Sequence, residues 1–339
     1  MLFRSYLADM LRHAERLLQA REPAYRPGGI RLLIVLENPR AVFRLNEIID
    51  ALHPHFAGAS LGWHDYLAST ARLMKEDPNY RIPVKADPEI VIKHIKASHE
   101  MLANVVGPRG GIAIGGMYGV LPSENRIESD SFQVAIRGFL RDVFTQLKRG
   151  LDGFWVAHPD FVRLGLALVE AWKRLKAGDR APIEAMVRGL LVERHRQPML
   201  DFILGPDIPS LDRADPLYAR ALLAADRPTS DFIANDHPDE VRYNVFQCLQ
   251  YLADWLCGNG CVALPAAIDG VPVRVMDDLA TTERSRWEVW HEVRHGRVQV
   301  DDLVRIAHEE MHFIQKDRSA PGKSVQVKWD ERTRGWYPV

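Results

Sequence analysis

The sequence predicts an α/β fold in which parallel strands are each followed by a helix, and a mainly helical part follows after about residue 200. Three observations carry this prediction. The apolar run at 30–36, broken only by Arg31, has the length and continuity of a strand buried on both faces, as in parallel sheets. Behind it, Pro39 suits a first helical turn, and Val42, Leu45, Ile48, Ile49 and Leu52 repeat at helical spacing. The strand-then-helix order then recurs to give four units, which points to a (β/α)₈ barrel, although not all eight strands can be counted.

Taken in order, residues 2–21 read as a helix with Leu7, Met10, Leu11, Ala14, Leu17 and Leu18 on one face. The first strand ends at Glu37, and His53-Pro54 closes the helix after it. A second short strand spans 56–61, and helix continues from Tyr66 to about residue 74. Asp87 and Pro88 supply an N-cap and a first-turn proline for a helix to about 105. Residues 107–111 form a turn into the glycine-rich strand 111–116. Ser129 or Asp130 caps a helix lined by Phe132, Ala135, Ile136, Phe139, Val143 and Leu147, ending at Gly150. A strand at 154–157 precedes a helix opened by Pro159. Helices are then expected at 210–225, 238–257, 277–294 and 300–316. The division expected is a barrel domain over 1–205 and a mainly helical C-terminal domain over 206–339, packed tightly, with no repeat or flexible linker between them.

Composition narrows the function. Lys plus Arg number 44 against 45 Asp plus Glu, so no charge field exists to attract nucleic acid or an anionic membrane. No apolar run reaches membrane-spanning length, and no signal-peptide pattern opens the chain. Of the three cysteines, Cys257 and Cys261 are four apart, outside the CxxC spacing of redox and zinc sites, so buried thiols in a reducing compartment are expected. The expectation is a soluble cytoplasmic protein with no protein partner evident.

The chemistry centres on two carboxylates. Glu37 and Asp65 each follow the C-terminal end of a strand, and in parallel α/β folds those ends share the ligand-bearing face. Paired there, they form a hard-oxygen site for Mg²⁺. The competing reading is that Glu37 caps the helix after it and Asp65 caps the one starting at Tyr66.

The stretch ENPRAVFRLNEI (37–48) followed by AGASLGWHDY (57–66) resembles the malate synthases, whose pattern is E-T-x-x-A-x-F-x-M-x-E-I and then A-G-L-N-x-G-R-W-D-Y. IGGM (114–117), DGFWVAHP (152–159), WLCGNGCV (255–262), MDDLATTERSR (276–286) and RHG (294–296) continue the resemblance in order. It implies a TIM barrel with a helical C-terminal domain over its mouth. The implied reaction joins the acetyl-CoA methyl carbon to glyoxylate and hydrolyses the thioester to malate, as in the glyoxylate cycle. It further implies Mg²⁺ on Glu37 and Asp65, Asp278 as the base, and backbone N–H groups at Ala59, Ser60 and Leu61 for the glyoxylate carboxylate. Apart from the resemblance, Asp278 reads as a helix N-cap.

Departures qualify the implied activity. Trp63-His64 replaces the family's Arg-Trp, and Ser60 replaces Asn. The resemblance implies that the arginine that stabilises the enolate comes from a first barrel strand, after which this chain is expected to begin, and the family's strand near Tyr6-Leu7 conflicts with the helical pattern. The family's Asp-Lys pair ahead of DGFWVAHP is replaced by Asp142-Val143 or Leu140. The chain reads as truncated at both ends, so a weak catalyst, or a non-catalytic barrel keeping metal and CoA binding, is a second expectation. A third is a zinc hydrolase through HEEMH (308–312), with Glu331 as third ligand. Against it, His and Glu on the outer face of a helix account for that motif. His158 is expected as a hydrogen-bonded strand-end residue rather than a ligand.

Overall fold

A computed structural model describes residues 2–83, 88–224 and 234–315. The expected cap at Asp87 and the expected ligand Glu331 lie outside them. Helix α1 (Leu2–Arg21) precedes β1 (Leu32–Leu36). The side chain of Asn38 accepts from Arg40 N (2.9 Å) to cap α2 (Pro39–Phe43), so Glu37 is not the cap. A break at Arg44 separates α2 from α3 (Leu45–Leu52), which buries Leu45, Ile49 and Leu52. There follow β2 (Phe56–Leu61), α4 (Trp63–Leu73), α5 (Pro88–Val106), β3 (Ile112–Tyr118), the short β4 (Val120–Pro122) and α6 (Asp130–Lys148). The side chain of Ser129 caps α6 by accepting from Phe132 N. Strand β5 (Gly153–Val156) leads into α7 (Asp160–Lys176), α8 (Ala181–Leu190), α9 (Glu193–Leu204) and α10 (Tyr218–Leu222).

Strands β1, β2, β3 and β5 pair in parallel in that order, each beside its neighbour in sequence, like consecutive staves of a barrel. The expectation that β1 is buried on both faces does not hold. It lies at the edge of the four strands, and Val35 is 45% exposed. Met117 and Trp155 are exposed to a similar degree. One core lies under β1 and β2, where Leu36, Phe56, Ala59 and Leu61 meet Leu45, Ile49, Ala97 and Leu102. A second gathers Phe139, Val143, Leu147 and Leu168 with Ile183, Met199 and Ile203 of the helices after β5.

The second part is not wholly helical. After α11 (Pro238–Leu256) the chain forms a hairpin of β6 (Cys261–Ile268) and β7 (Val271–Asp278), then α12 (Leu279–Arg294) and α13 (Val300–Gln315). The turn residues Asp269 and Gly270 both have positive φ, the geometry of a tight two-residue turn whose twist matches its strands. Strand β7 also pairs antiparallel with β4, Val120 opposite Val275 and Pro122 opposite Val273. The run beyond β3 is thereby drawn into the sheet of the second part. Helix α12 packs on α4 and on the stretch after it, where Arg81 meets Glu292 (2.9 Å) and both are buried. No helix among the described residues is long and apolar enough to cross a membrane. The three cysteines form no disulfide, and Cys248 and Cys257 are half-buried and Cys261 exposed, which corrects the expectation of buried thiols.

Helix α1 is pinned to the start of β1 by one buried carboxylate. Glu15 accepts from Gly28 N (2.8 and 2.9 Å), Ile30 N (3.0 Å) and the Tyr25 hydroxyl (2.9 Å). Burial pushes its carboxyl up, but these donors, with His55 nearby, bring it from 4.5 down to about 2. A group held below its unfolded value stabilises the fold fully above about pH 4.5, and that stabilisation is lost as pH falls toward 2. Glu15→Gln should therefore lower the melting temperature at neutral pH and flatten its decline through that acid range, as followed by circular dichroism.

Candidate active site

A cleft of about 620 Å³ opens where the strand ends meet the second part of the chain. Its floor comes from the residues after β1 and β2, from the end of β3 and from β5. Its roof comes from β7, the first turn of α12, and Tyr243 and Gln247 of α11. Glu37, Asp65 and Asp278 all line it, although 241 positions separate the first from the last (278 − 37).

Glu37 reaches across the start of α4. A Cβ placed on Gly62 would lie 2.5 Å from Glu37 Cγ and 2.8 Å from Oε1, so only glycine leaves room for this carboxylate. Asp65 sits in the first turn of α4, which begins at Trp63, so it is not the cap of a helix starting at Tyr66. Burial pushes the Asp65 carboxyl up to about 6, aided by the charges of Glu37, Asp278 and Glu283 and by a hydrogen bond with Glu37. Two carboxylates crowded in this way suit a shared proton or a hard cation, which takes one or two carboxylates and completes its shell with water.

Asp278 ends β7 and caps α12, its Oδ1 accepting from Thr281 N (3.1 Å) and Thr281 Oγ1 (3.2 Å). The capping role is therefore real. It occupies one carboxylate oxygen of a residue that also faces the cleft. Its neighbour Asp277 is buried and accepts from Gln247 Nε2 (2.9 Å), while Gln247 Oε1 accepts from Ser285 Oγ (2.9 Å).

The residues expected at the carboxylate subsite divide. Leu61 lines the cleft, but Ala59 and Ser60 are fully buried inside β2, flanked by β1 and β3. The lining continues one step further along, at Gly62, Trp63 and His64. Gly62, whose N–H donates to Leu36 O (3.1 Å), gives α4 no side-chain cap, and α4 begins at Trp63 on the border of the cleft.

Among the lining residues that the sequence did not mark as part of a site are His99, Gln146 and Asp142. Asp142 is pushed up to about 6 by burial, against the opposing influence of Gln146 and Arg149. His99 is pushed down to about 3 by burial and by the Arg149 guanidinium. Asp142 and Gln146 are four apart on α6 and joined by a 2.7 Å hydrogen bond, a spacing visible in sequence and ordinarily read as a solvated pair. Five carboxylates in all line the cleft, Glu37, Asp65, Asp142, Asp277 and Asp278, and no lysine or arginine is among its described lining residues.

The HEEMH helix lies elsewhere and is partly a packing element. His308 and His312 are exposed, but Glu310 is fully buried and accepts from Arg242 Nη1 (2.7 Å), contrary to an all-solvated outer face. Glu309 pairs with Arg242 and with Arg305. Among the described residues no group of three or more His, Cys, Asp or Glu side chains is arranged to hold a metal ion. His158 is half-exposed, and its Nδ1 accepts from Asp160 N (3.2 Å) at the start of α7.

The chain matches the family described as malate synthase, TIM barrel domain, over residues 8–179, and malate synthase, C-terminal, over 235–332. The glyoxysomal malate synthase of Zea mays is 27% identical over 305 residues, covering 86% of this chain and 46% of that protein. Malate synthase A of Escherichia coli (strain K12) is 26% identical over 270 residues, covering 80% and 42%. The malate synthase of Dictyostelium discoideum is 25% identical over 292 residues, covering 86% and 47%. The chain thus spans about half the length of the curated relatives it matches. The matched regions run through both parts in order, one carrying Glu37 and Asp65 and the other Asp278, and the chain belongs to the malate synthase family.

Proposed function

We propose that the cleft is a malate synthase-type centre, condensing the methyl carbon of acetyl-CoA with glyoxylate and releasing malate and CoA after thioester hydrolysis. The observation that carries this reading is the meeting of a carboxylate pair at two strand ends with a third carboxylate presented by the other part of the chain. Such a reaction needs a very weakly acidic C–H to be ionised close to an electrophilic carbonyl, and so separate places for the two substrates. Glu37 and Asp65 would hold Mg²⁺, which when bound supplies Lewis acidity to the glyoxylate carbonyl. The N–H groups at the start of α4 suit the glyoxylate carboxylate. Asp278, fixed by its bonds to Thr281, removes the methyl proton.

The test is thiol release from acetyl-CoA, which should depend on both glyoxylate and Mg²⁺. Thiol release indifferent to glyoxylate would overturn the reading. A second reading, a barrel that binds a cation without turning over, is favoured by the lack of lysine or arginine along the described lining. In that case Mg²⁺ binding survives and glyoxylate-dependent release is absent.

Two substitutions separate catalysis from structure. Asp278→Asn keeps a good N-cap and should leave stability nearly unchanged, while solvent exchange of the acetyl methyl protons falls about 10²–10⁴-fold. Asp278→Ala should lose exchange and also about 1 kcal/mol of stability, as read by denaturant titration. Gly62→Ala forces Glu37 aside or overpacks α4, so it should cost about 1–3 kcal/mol of stability. It should also weaken Mg²⁺ binding roughly tenfold or more, measured by calorimetry.

A further inference from the structure

Two helix starts that carry carboxylates border the same cleft. Asp65 lies in the first turn of α4, and Asp278 caps α12. A base works only when it is held close to its productive place, so the reaction proposed above needs these two turns kept in a fixed relation. Among the described elements, α4 and α12 form the most extensive contact between two helices. Side chains from α12 and just beyond it also donate to main-chain carbonyls in the stretch 74–83 that follows α4.

These ties fall into two groups. Toward the far end of α12, His291 Nε2 donates to Met74 O (3.4 Å) and His295 Nε2 to Lys75 O (3.0 Å), and Arg297 Nη1 donates to Pro78 O (3.0 Å). Arg81 meets Glu292 in the same region (2.9 Å). At about 1.5 Å of rise per residue, these anchors begin about 20 Å along the helix from Asp278.

The near end is tied through Arg284, in the second turn of α12. Arg284 is fully buried, and its fork reaches in three directions. Nε donates to Glu288 Oε1 (2.7 Å), one turn further along, and Glu288 Oε2 accepts from Asn244 Nδ2 of α11 (2.8 Å). Nη2 donates to Pro83 O (2.7 Å) in the stretch after α4. The guanidinium also lies over the Trp63 ring, 4.6 Å from its centre, and Trp63 is the first residue of α4. One planar cation thus touches the helix that carries Asp278, the start of the helix that carries Asp65, and the segment that follows that helix.

We propose that Arg284 is the positioning residue for the base. It holds the first turns of α12 against the start of α4, and so sets Asp278 in a fixed place across from Glu37 and Asp65. The proposal rests on the condensation reading above. Arg284 is fully buried and meets no substrate; it acts through Asp278 alone. A lysine keeps a positive charge beside Glu288 but has no planar fork to reach Pro83 and cover Trp63 at once. In Arg284→Lys the far anchors remain, so α12 stays docked while its start is free to shift.

The test compares Arg284→Lys with Arg81→Lys, which loosens the far anchors instead, both on the full chain. Arg284→Lys should lower kcat and methyl-proton exchange about 10²-fold, the cost of misplacing a base by about 1 Å. The KM values for acetyl-CoA and glyoxylate should change by less than about threefold. Arg81→Lys should lower the melting temperature and keep methyl-proton exchange within about threefold of the wild type. Amide hydrogen exchange followed by mass spectrometry gives a readout apart from turnover. Arg284→Lys should speed it at 279–286 and leave 300–315 as in the wild type. Methyl-proton exchange that survives Arg284→Lys, or that falls in both variants in step with their stability, overturns the positioning role and leaves the condensation reading standing. Should Arg284→Lys not fold, Glu288→Gln decides by the same split, because it keeps an acceptor for Nε and removes the charge that anchors it. A wild type that exchanges no methyl protons overturns the condensation reading. The amide readout then judges the tie by itself, and unchanged exchange at 279–286 overturns it.

Discussion

The cleft depends on a three-residue ladder. Val120, Leu121 and Pro122 pair with Val275, Arg274 and Val273, and Met276 N donates to Gly119 O (2.8 Å). This junction brings the end of β3 beside the end of β7. One side of the cleft is then set by parallel strand ends and the other by an antiparallel hairpin. Without the ladder, Asp278 would still cap α12, and its relation to Glu37 and Asp65 would rest on the packing of α12 against α4 alone. The Ser131 hydroxyl strengthens the junction by donating to Pro272 O (2.6 Å) while accepting from Ser123 N (2.8 Å).

Electrostatics divides between the cleft and the seam beneath it. The cleft collects carboxylates, and burial together with that crowding raises the Asp65 carboxyl. The cations are one layer back, between α4 and α12, where Arg284 meets Glu288 and Arg81 meets Glu292 with most of the water removed. Buried pairs of this kind contribute little net stability, because desolvation offsets much of the attraction. What they provide is rigidity, since a displaced partner leaves an uncompensated buried charge.

Much of the fold was legible in the sequence because its signals are local. The second strand at 56–61 matches β2 residue for residue, and the Ser129 cap and the placement of Glu37 and Asp65 after strand ends needed only short-range pattern. The hairpin at 261–278 was legible too, through Asp269-Gly270 between two apolar runs, but was hidden by assigning Asp277 and Asp278 to a helix start. The roles of Arg284, Asp142 and His99 could not be read this way. Arg284 and Glu288 are four apart, which in sequence describes an ordinary solvated pair; only the packing of α12 on α4 makes it a buried one. That Ala59 and Ser60 lie inside the sheet rather than along the cleft was not legible either, because no local pattern marks where β2 stops donating to its neighbours and α4 begins.

The brevity of β4 has a consequence for how the molecule is made. During synthesis β4 emerges long before β7, and until the hairpin arrives its backbone donors and acceptors are an open invitation to the wrong strand. Three residues offer few bonds to such a partner, and Pro122 has no N–H to contribute at one end. A longer, more regular β4 would hold the mature cleft more firmly, yet it would expose a stickier edge to every other nascent chain while it waited. The short ladder fits a protein whose two halves must find each other late, with the assembled cleft itself supplying the reward that keeps them joined.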